Sequence, residues 1–199
     1  MKILLIGASG TLGQAVNAEL GATHKIIKVG KRSGDYQVDI TQADSVTALF
    51  ESVGRVDAII STTGNLFFGP LTEMSAEQFN LGLQDKLLGQ VRLALVGQHY
   101  LNEGGSITLT SGIVAIEPIR QGANATAVNS AIEGFVRGAA IELPRGIRIN
   151  AISPTLVDES KEAYSAFFAG FETIPASRAA LAYRRSVEGA QTGQVYRIG

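Results

Sequence analysis

The sequence predicts an α/β fold: a doubly wound, seven-stranded parallel sheet with helices on both faces, in a single domain. Short aliphatic and β-branched runs alternate with longer amphipathic stretches from one end to the other, the pattern of strand–helix–strand units with right-handed crossovers. The short runs lack the strict apolar/polar alternation of half-exposed strands, which suits strands covered on both faces. At 199 residues the chain suits one domain, and no internal repeat or low-complexity linker divides it.

In order, strands are predicted at Lys2–Ile6, Lys25–Val29, Tyr36–Val38, Asp57–Ser61, Ser106–Thr110, Arg148–Ile152 and Val195–Ile198. The helical stretches between them are Thr11–Leu20, Ala43–Val53, Ala76–Leu101, Ala123–Leu143 and Ser177–Val187. One segment is weakly patterned. Pro154–Pro175 carries Asp158, Glu159, Lys161 and Glu162, then Phe167, Phe168 and Phe171, and is expected to form a flap or short helical excursion over the carboxyl ends of the strands. Its phenylalanines suit a substrate pocket, a subunit contact or the flap's own core.

Composition narrows the function. There is no cysteine, which excludes disulfides and thiolate metal sites, and His24 and His99 lack ligand-like companions. A formal net charge of −1, with 17 basic residues spread along the chain, gives no expectation of a nucleic-acid or membrane partner. The run from Met1 to Gly7 is too brief for a signal peptide or a membrane span, so cytoplasmic residence is expected.

Chemistry concentrates first at Gly7-Ala8-Ser9-Gly10-Thr11-Leu12-Gly13, between the first strand and the first helix. A chain that reverses there, brings its backbone against a pyrophosphate and starts its helix hard against the sheet needs bare positions, and a helix N-terminus offers N–H groups and a positive dipole end. The expected binding set is Gly7, Ser9, Gly10, Thr11, Leu12 and Gly13 of a Rossmann-type dinucleotide site. A branched residue at Gly13 is expected to enter the approach of the helix to the pyrophosphate. An acidic residue closing the second strand would take the ribose hydroxyls of NAD. Lys31, Arg32 and Ser33 stand there instead, and two cations and a hydroxyl suit a 2′-phosphate. NADP(H) is favoured over NAD(H).

Further motifs make the chain resemble the short-chain dehydrogenase/reductase family over nearly its whole length. Asp39, in Val38-Asp39-Ile40-Thr41, matches the family's aspartate at the adenine. Ser61-Thr62-Thr63-Gly64 stands where the family usually has Asn-Asn-Ala-Gly. Ile107–Ser111 is similar to the strand that ends in the family's active-site serine. Arg145–Pro154 is similar to the sixth-strand signature, and Thr192-Gly193-Gln194 to the turn into the last strand. The resemblance implies cofactor contacts from Asp39, Ile40, Thr63, Gly64, Pro154, Leu156 and Val157. It implies a catalytic role for Ser111, and a homodimer or homotetramer through the long helices. The glycine spacing is more like the family's extended and atypical branches.

The family's Tyr-x-x-x-Lys pair is missing. Registering the helix on Ile132–Arg137 and Ala140–Leu143 places Ala125 at the tyrosine and Asn129 at the lysine. Alanine cannot shuttle a proton, and asparagine has no charge with which to tune one. No tyrosine or lysine lies between Tyr100 and Lys161. Lys86 occupies the place of the family's helix-four asparagine, where it could supply the missing charge to the nicotinamide ribose. Tyr164, in the flap, is a candidate proton donor. The sequence leaves two functions open: an NADP(H)-dependent oxidoreductase with non-standard catalytic residues, acting on an unspecified carbonyl or alcohol, and a catalytically silent NADP(H)-binding sensor or regulator. An epimerase-like enzyme is suggested by the glycine spacing alone.

Overall fold

In the computed structural model, which describes residues 1–199, seven strands pair into one parallel sheet. They are β1 Lys2–Ile6, β2 Lys25–Gly30, β3 Tyr36–Gln37, β4 Val56–Ser61, β5 Leu101–Thr110, β6 Arg148–Pro154 and β7 Val195–Ile198. Their order is β3-β2-β1-β4-β5-β6-β7. The helices are α1 Thr11–Gly21, α2 Ala43–Val53, α3 Ala76–Gly82, α4 Leu88–Gly97, α5 Ala123–Ala139, α6 Lys161–Tyr164 and α7 Ala176–Glu188. No helix is long and apolar enough to cross a membrane.

Strand β1 shows how the pattern becomes a fold. Successive side chains point to opposite faces, so its aliphatic run feeds two cores. Leu4 and Ile6 join Phe50, Leu93 and Val128 beneath α2, α4 and α5. Ile3 and Leu5 join Val16, Leu20 and Tyr183 beneath α1 and α7. The chain moves outward from β1 to β3 and then crosses back to β4 on the other side of β1. That reversal opens a crevice at the carboxyl ends of β1 and β4, where ligands bind in open α/β sheets.

One element differs from expectation. Ala76–Leu101 is not a single helix: α3 stops at Gly82, Leu83–Leu87 forms a π-helical turn, and α4 stops at Gly97. Leu101 already belongs to β5, paired with Val56. Gly97 ends α4 flush against the sheet, since a Cβ there would stand 2.5 Å from Ile59 Cδ1 and 2.8 Å from Phe50 Cζ. Likewise α5 closes at Ala139, ahead of Pro144, which disfavours helical geometry in the residue before it.

Candidate cofactor and active site

At the glycine turn the three glycines answer to different constraints. Gly7 has φ +88°, and a Cβ on it would lie 2.7 Å from both Thr62 Oγ1 and Thr63 Cγ2. At Gly13 a Cβ would collide with the Gly7 carbonyl oxygen and stand 2.8 Å from Ala8 Cα. The bareness of Gly13 therefore serves the packing of α1 on the turn, so a branched residue there would meet the turn's own backbone before any pyrophosphate. Gly10 differs from both. Its φ of −75° suits any residue, and an added Cβ would meet only the Gly7 oxygen at an ordinary 3.5 Å. Nothing in the protein requires glycine there, and the space it leaves opens into a cleft. Gly10 is also the N-cap of α1, which has no side-chain cap and no acidic residue in its first turn. The helix thus keeps its free N–H groups for an anion.

Two cavities of about 480 and 210 Å³ meet beside this turn, sharing Gly10, Thr62, Thr63, Gly64 and Asn65. Together they make one two-lobed groove along the strand ends. In the smaller lobe Asp39 accepts hydrogen bonds from Thr41 Oγ1 at 2.7 Å and Thr41 N at 3.0 Å, and its other oxygen pairs with Lys31 Nζ at 2.9 Å. These partners, the Thr41 hydroxyl foremost, hold the Asp39 carboxyl down at about 2. Ile40 turns its side chain into the core, against Gly89. Lys31 lines the lobe, whereas Arg32 and Ser33 are exposed on the β2–β3 connection and line neither cavity. Ser9 lies at the smaller lobe, Thr11 and Leu12 at the larger.

The larger lobe holds Lys86 and Asn129, two of the positions at which the resemblance implies altered catalytic residues. Lys86 sits on the π turn, and such turns often mark functional sites. Its side chain passes directly over Gly64 (φ +119°), where a Cβ would stand 2.5 Å from Lys86 Cβ and Cγ. Its Nζ donates to the Ser111 carbonyl oxygen at 3.3 Å. Buried Gln90 braces this turn: its Nε2 donates to the carbonyls of Lys86 (3.2 Å) and Thr110 (2.8 Å), and its Oε1 accepts from Thr110 N (2.8 Å). Lys86 is partly exposed, in a cleft whose walls surround it with protein atoms, and has no ion-pair partner. Desolvation pushes its ammonium down to about 8.

Ser111, at the end of β5, lines the same lobe, but its hydroxyl is turned toward α5. The Asn129 carbonyl and Glu133 Oε1 each lie 3.2 Å from its Oγ, and Glu133 is held in turn by Arg197 at 2.9 Å. Ala125 is buried against Ile113 and Val114 and does not line the cleft. Asn129 does. Its Nδ2 donates to the Ala125 carbonyl at 2.8 Å, which leaves its buried Oδ1 without a partner. An orphaned buried acceptor costs about 1–3 kcal/mol, so the position is suited to a donor that arrives with a ligand. This atom and the open face of Gly10 both fit a bound dinucleotide.

The flap packs over the larger lobe. After Pro154, Leu156 and Val157, which line the cleft, Val157 bridges Ile174, and Glu159 accepts the Ala176 N–H at the start of α7 at 3.0 Å. Tyr164 and Phe167 pack on Phe68, with ring centroids 5.9 and 5.2 Å away. Ser160, Tyr164 and Phe168 line the cavity, and Phe168 stands edge-on to Phe171 at 5.3 Å. Sequence reasoning missed Phe68 and the two buried clasps, Gln90 and Asn124. Asn124 accepts from Phe67 N (3.0 Å) and donates to the Phe79 carbonyl (2.7 Å), fixing the loop after β4 to α3. No sequence signal marks either clasp, because their partners are backbone atoms brought close only by the fold.

Comparison with known proteins bears on the family and the fold. A family model described as enoyl-(acyl carrier protein) reductase matches residues 7–197. Tetrahydroxynaphthalene reductase PfmaG of Pestalotiopsis fici is 33% identical over 158 residues, 74% of this chain and 56% of that protein. The chain spans about half the length of the first curated relatives it matches. Among solved structures, the protein lin1944 from Listeria innocua superposes with a TM-score of 0.99 at 50% identity, covering all of both chains. A small-chain dehydrogenase in complex with NADPH superposes at 0.89 with 28% identity, over 100% of this chain and 96% of that one. On fold, motifs and family model together, the chain belongs to the short-chain dehydrogenase/reductase family.

Proposed function

We propose that the protein is an NADP(H)-dependent oxidoreductase that interconverts a carbonyl and an alcohol with non-standard catalytic residues. The observation that carries this reading is the two-lobed cleft at the β1/β4 reversal, with an uncapped helix and a glycine whose only use is the room it leaves. Lys31 beside the smaller lobe supports NADP(H) over NAD(H), and an NADPH-bound relative supports the same preference. Bound there, the reduced cofactor would supply a hydride; the protein must position the carbonyl and deliver a proton. Leu66, Phe68, Ile113, Val114 and Phe168 give the larger lobe an apolar wall, which suits an apolar carbonyl compound. The catalytically silent alternative has no support among the relatives above.

Fluorescence titration tests the cofactor. NADPH should bind at least tenfold more tightly than NADH, about 1.4 kcal/mol, and Lys31→Ala/Arg32→Ala should erase the difference. Equal affinities in the wild type would refute the preference. Turnover is tested by NADPH oxidation with a panel of aromatic and aliphatic ketones and aldehydes.

A further inference from the structure

We propose that Lys86 is the proton donor to the substrate's carbonyl oxygen, acting from the π turn between α3 and α4 in place of any group on α5. The inference rests on the oxidoreductase reading above. Of the three N–H bonds of the Lys86 ammonium, one is directed to the Ser111 carbonyl, and no carboxylate takes the others. Gly64 lies directly beneath its stem, and Gln90 holds the main-chain carbonyl from which the stem departs.

Two hydroxyls at the end of β5 are committed elsewhere. Ser111 Oγ is turned to Asn129 and Glu133, and Thr110 Oγ1 to the Ser61 carbonyl and Tyr183. Around Lys86 the ionisable groups are Asp85, held by Asn65, and Glu133, held by Arg197, together with Tyr183 behind Thr110 and Tyr164 on the flap. Of these only Tyr164 is a rival donor within the cavity wall.

The step balances. As the carbonyl carbon gains the hydride from the reduced cofactor, the C=O π pair moves to oxygen, which takes a proton from Lys86 Nζ. The ammonium becomes a neutral amine, the cofactor is left oxidised, and the amine regains a proton from water. A donor that ionises near 8 is well matched to this work, because general acids act best near the operating pH. In the reverse direction the neutral amine takes the alcohol proton, so oxidation should gain where reduction fades.

The test has two arms. Competitive acetylation followed by peptide mass spectrometry, which needs no turnover, should show Lys86 titrating near pH 8, well below exposed lysines of the same chain. Single-turnover NADPH oxidation by a ketone that the wild type reduces should fall above that pH, and Lys86→Met should slow it by roughly 10²–10⁴-fold. Lys86→Arg should not restore it, because guanidinium keeps its protons. Ordinary lysine titration, or wild-type rates in Lys86→Met, would overturn the proposal. So would weaker NADPH binding with an unchanged chemical step, which assigns Lys86 to the ribose, or a loss of that size in Tyr164→Phe alone. A wild type that binds NADPH and turns over no carbonyl would instead overturn the oxidoreductase reading, and this role with it.

Discussion

Gly10 and Gly13 stand three residues apart, and the difference in what surrounds them separates folding from binding. Gly10→Val should leave the thermal midpoint within a few degrees of wild type while weakening NADPH about a hundredfold, roughly 2.7 kcal/mol, measured by differential scanning fluorimetry and fluorescence titration. Gly13→Val should damage the fold itself, because its Cβ has backbone on two sides; circular dichroism should show a collapsed transition. Equal damage from both would refute the distinction. Lys86 yields a stability test with a definite sign. Its native ionisation is lowered from 10.5 to about 8, so below pH 8 the folded state carries the full cost of a desolvated charge. Between about 8 and 10.5 the unfolded chain holds the extra proton, and stability rises with pH. Lys86→Met should therefore melt a few degrees higher than wild type at pH 7, with the gap closing toward pH 10.5 in melts across that range. The sequence displayed Lys86 as a cation in an asparagine's place. It could not display the desolvation, which comes from β4, β5 and the flap closing around it.

At the scale of elements, the flap from residues 154 to 175 is tied down at both ends, by the Val157–Ile174 bridge and the Glu159 contact with α7. Its middle packs Tyr164 and Phe167 on Phe68, and Phe168 and Phe171 against the cluster of Ile113, Val114 and Ala125. Phe68→Ala should raise limited proteolysis between residues 158 and 172 about tenfold, equivalent to about 1.4 kcal/mol of local stability, with the global melt nearly unchanged. Unchanged cleavage would show that the flap holds without it. The flap's place and aromatic content were legible as a break in periodicity; the ring under Tyr164 and Phe167 was not, since Phe68 sits nearly a hundred residues earlier. The split of the stretch 76–101 was hidden for another reason. Amphipathic spacing survives a π turn and two glycine breaks almost intact, and Leu101 satisfies helix and strand patterns alike.

For the whole molecule, the alternation of strand and helix made the sheet, its parallel sense and its cofactor edge readable, because doubly covered strands leave a plain apolar signature. Association is the remaining expectation. Leu95 on α4 is 52% exposed and Ile141, just beyond α5, 87%; Gly134 and Gly138 on α5 face open space. Such a surface suits a second copy packing through α4 and α5, and members of the family are generally oligomeric. Light scattering at micromolar concentration should give a dimer or tetramer, and Leu95→Glu should shift it toward monomer; a monomeric wild type would refute the expectation. The π turn carries a consequence of a different kind. It is one residue more than an α-helix needs, so removing a residue within Leu83–Leu87 can restore regular winding without turning α4. The same deletion inside α4 would rotate everything beyond it by about 100° and swing Leu93 out of the core. The lysine in the cleft is thus held by a surplus in chain length, and the helix can lose that surplus while its buried face stays in register.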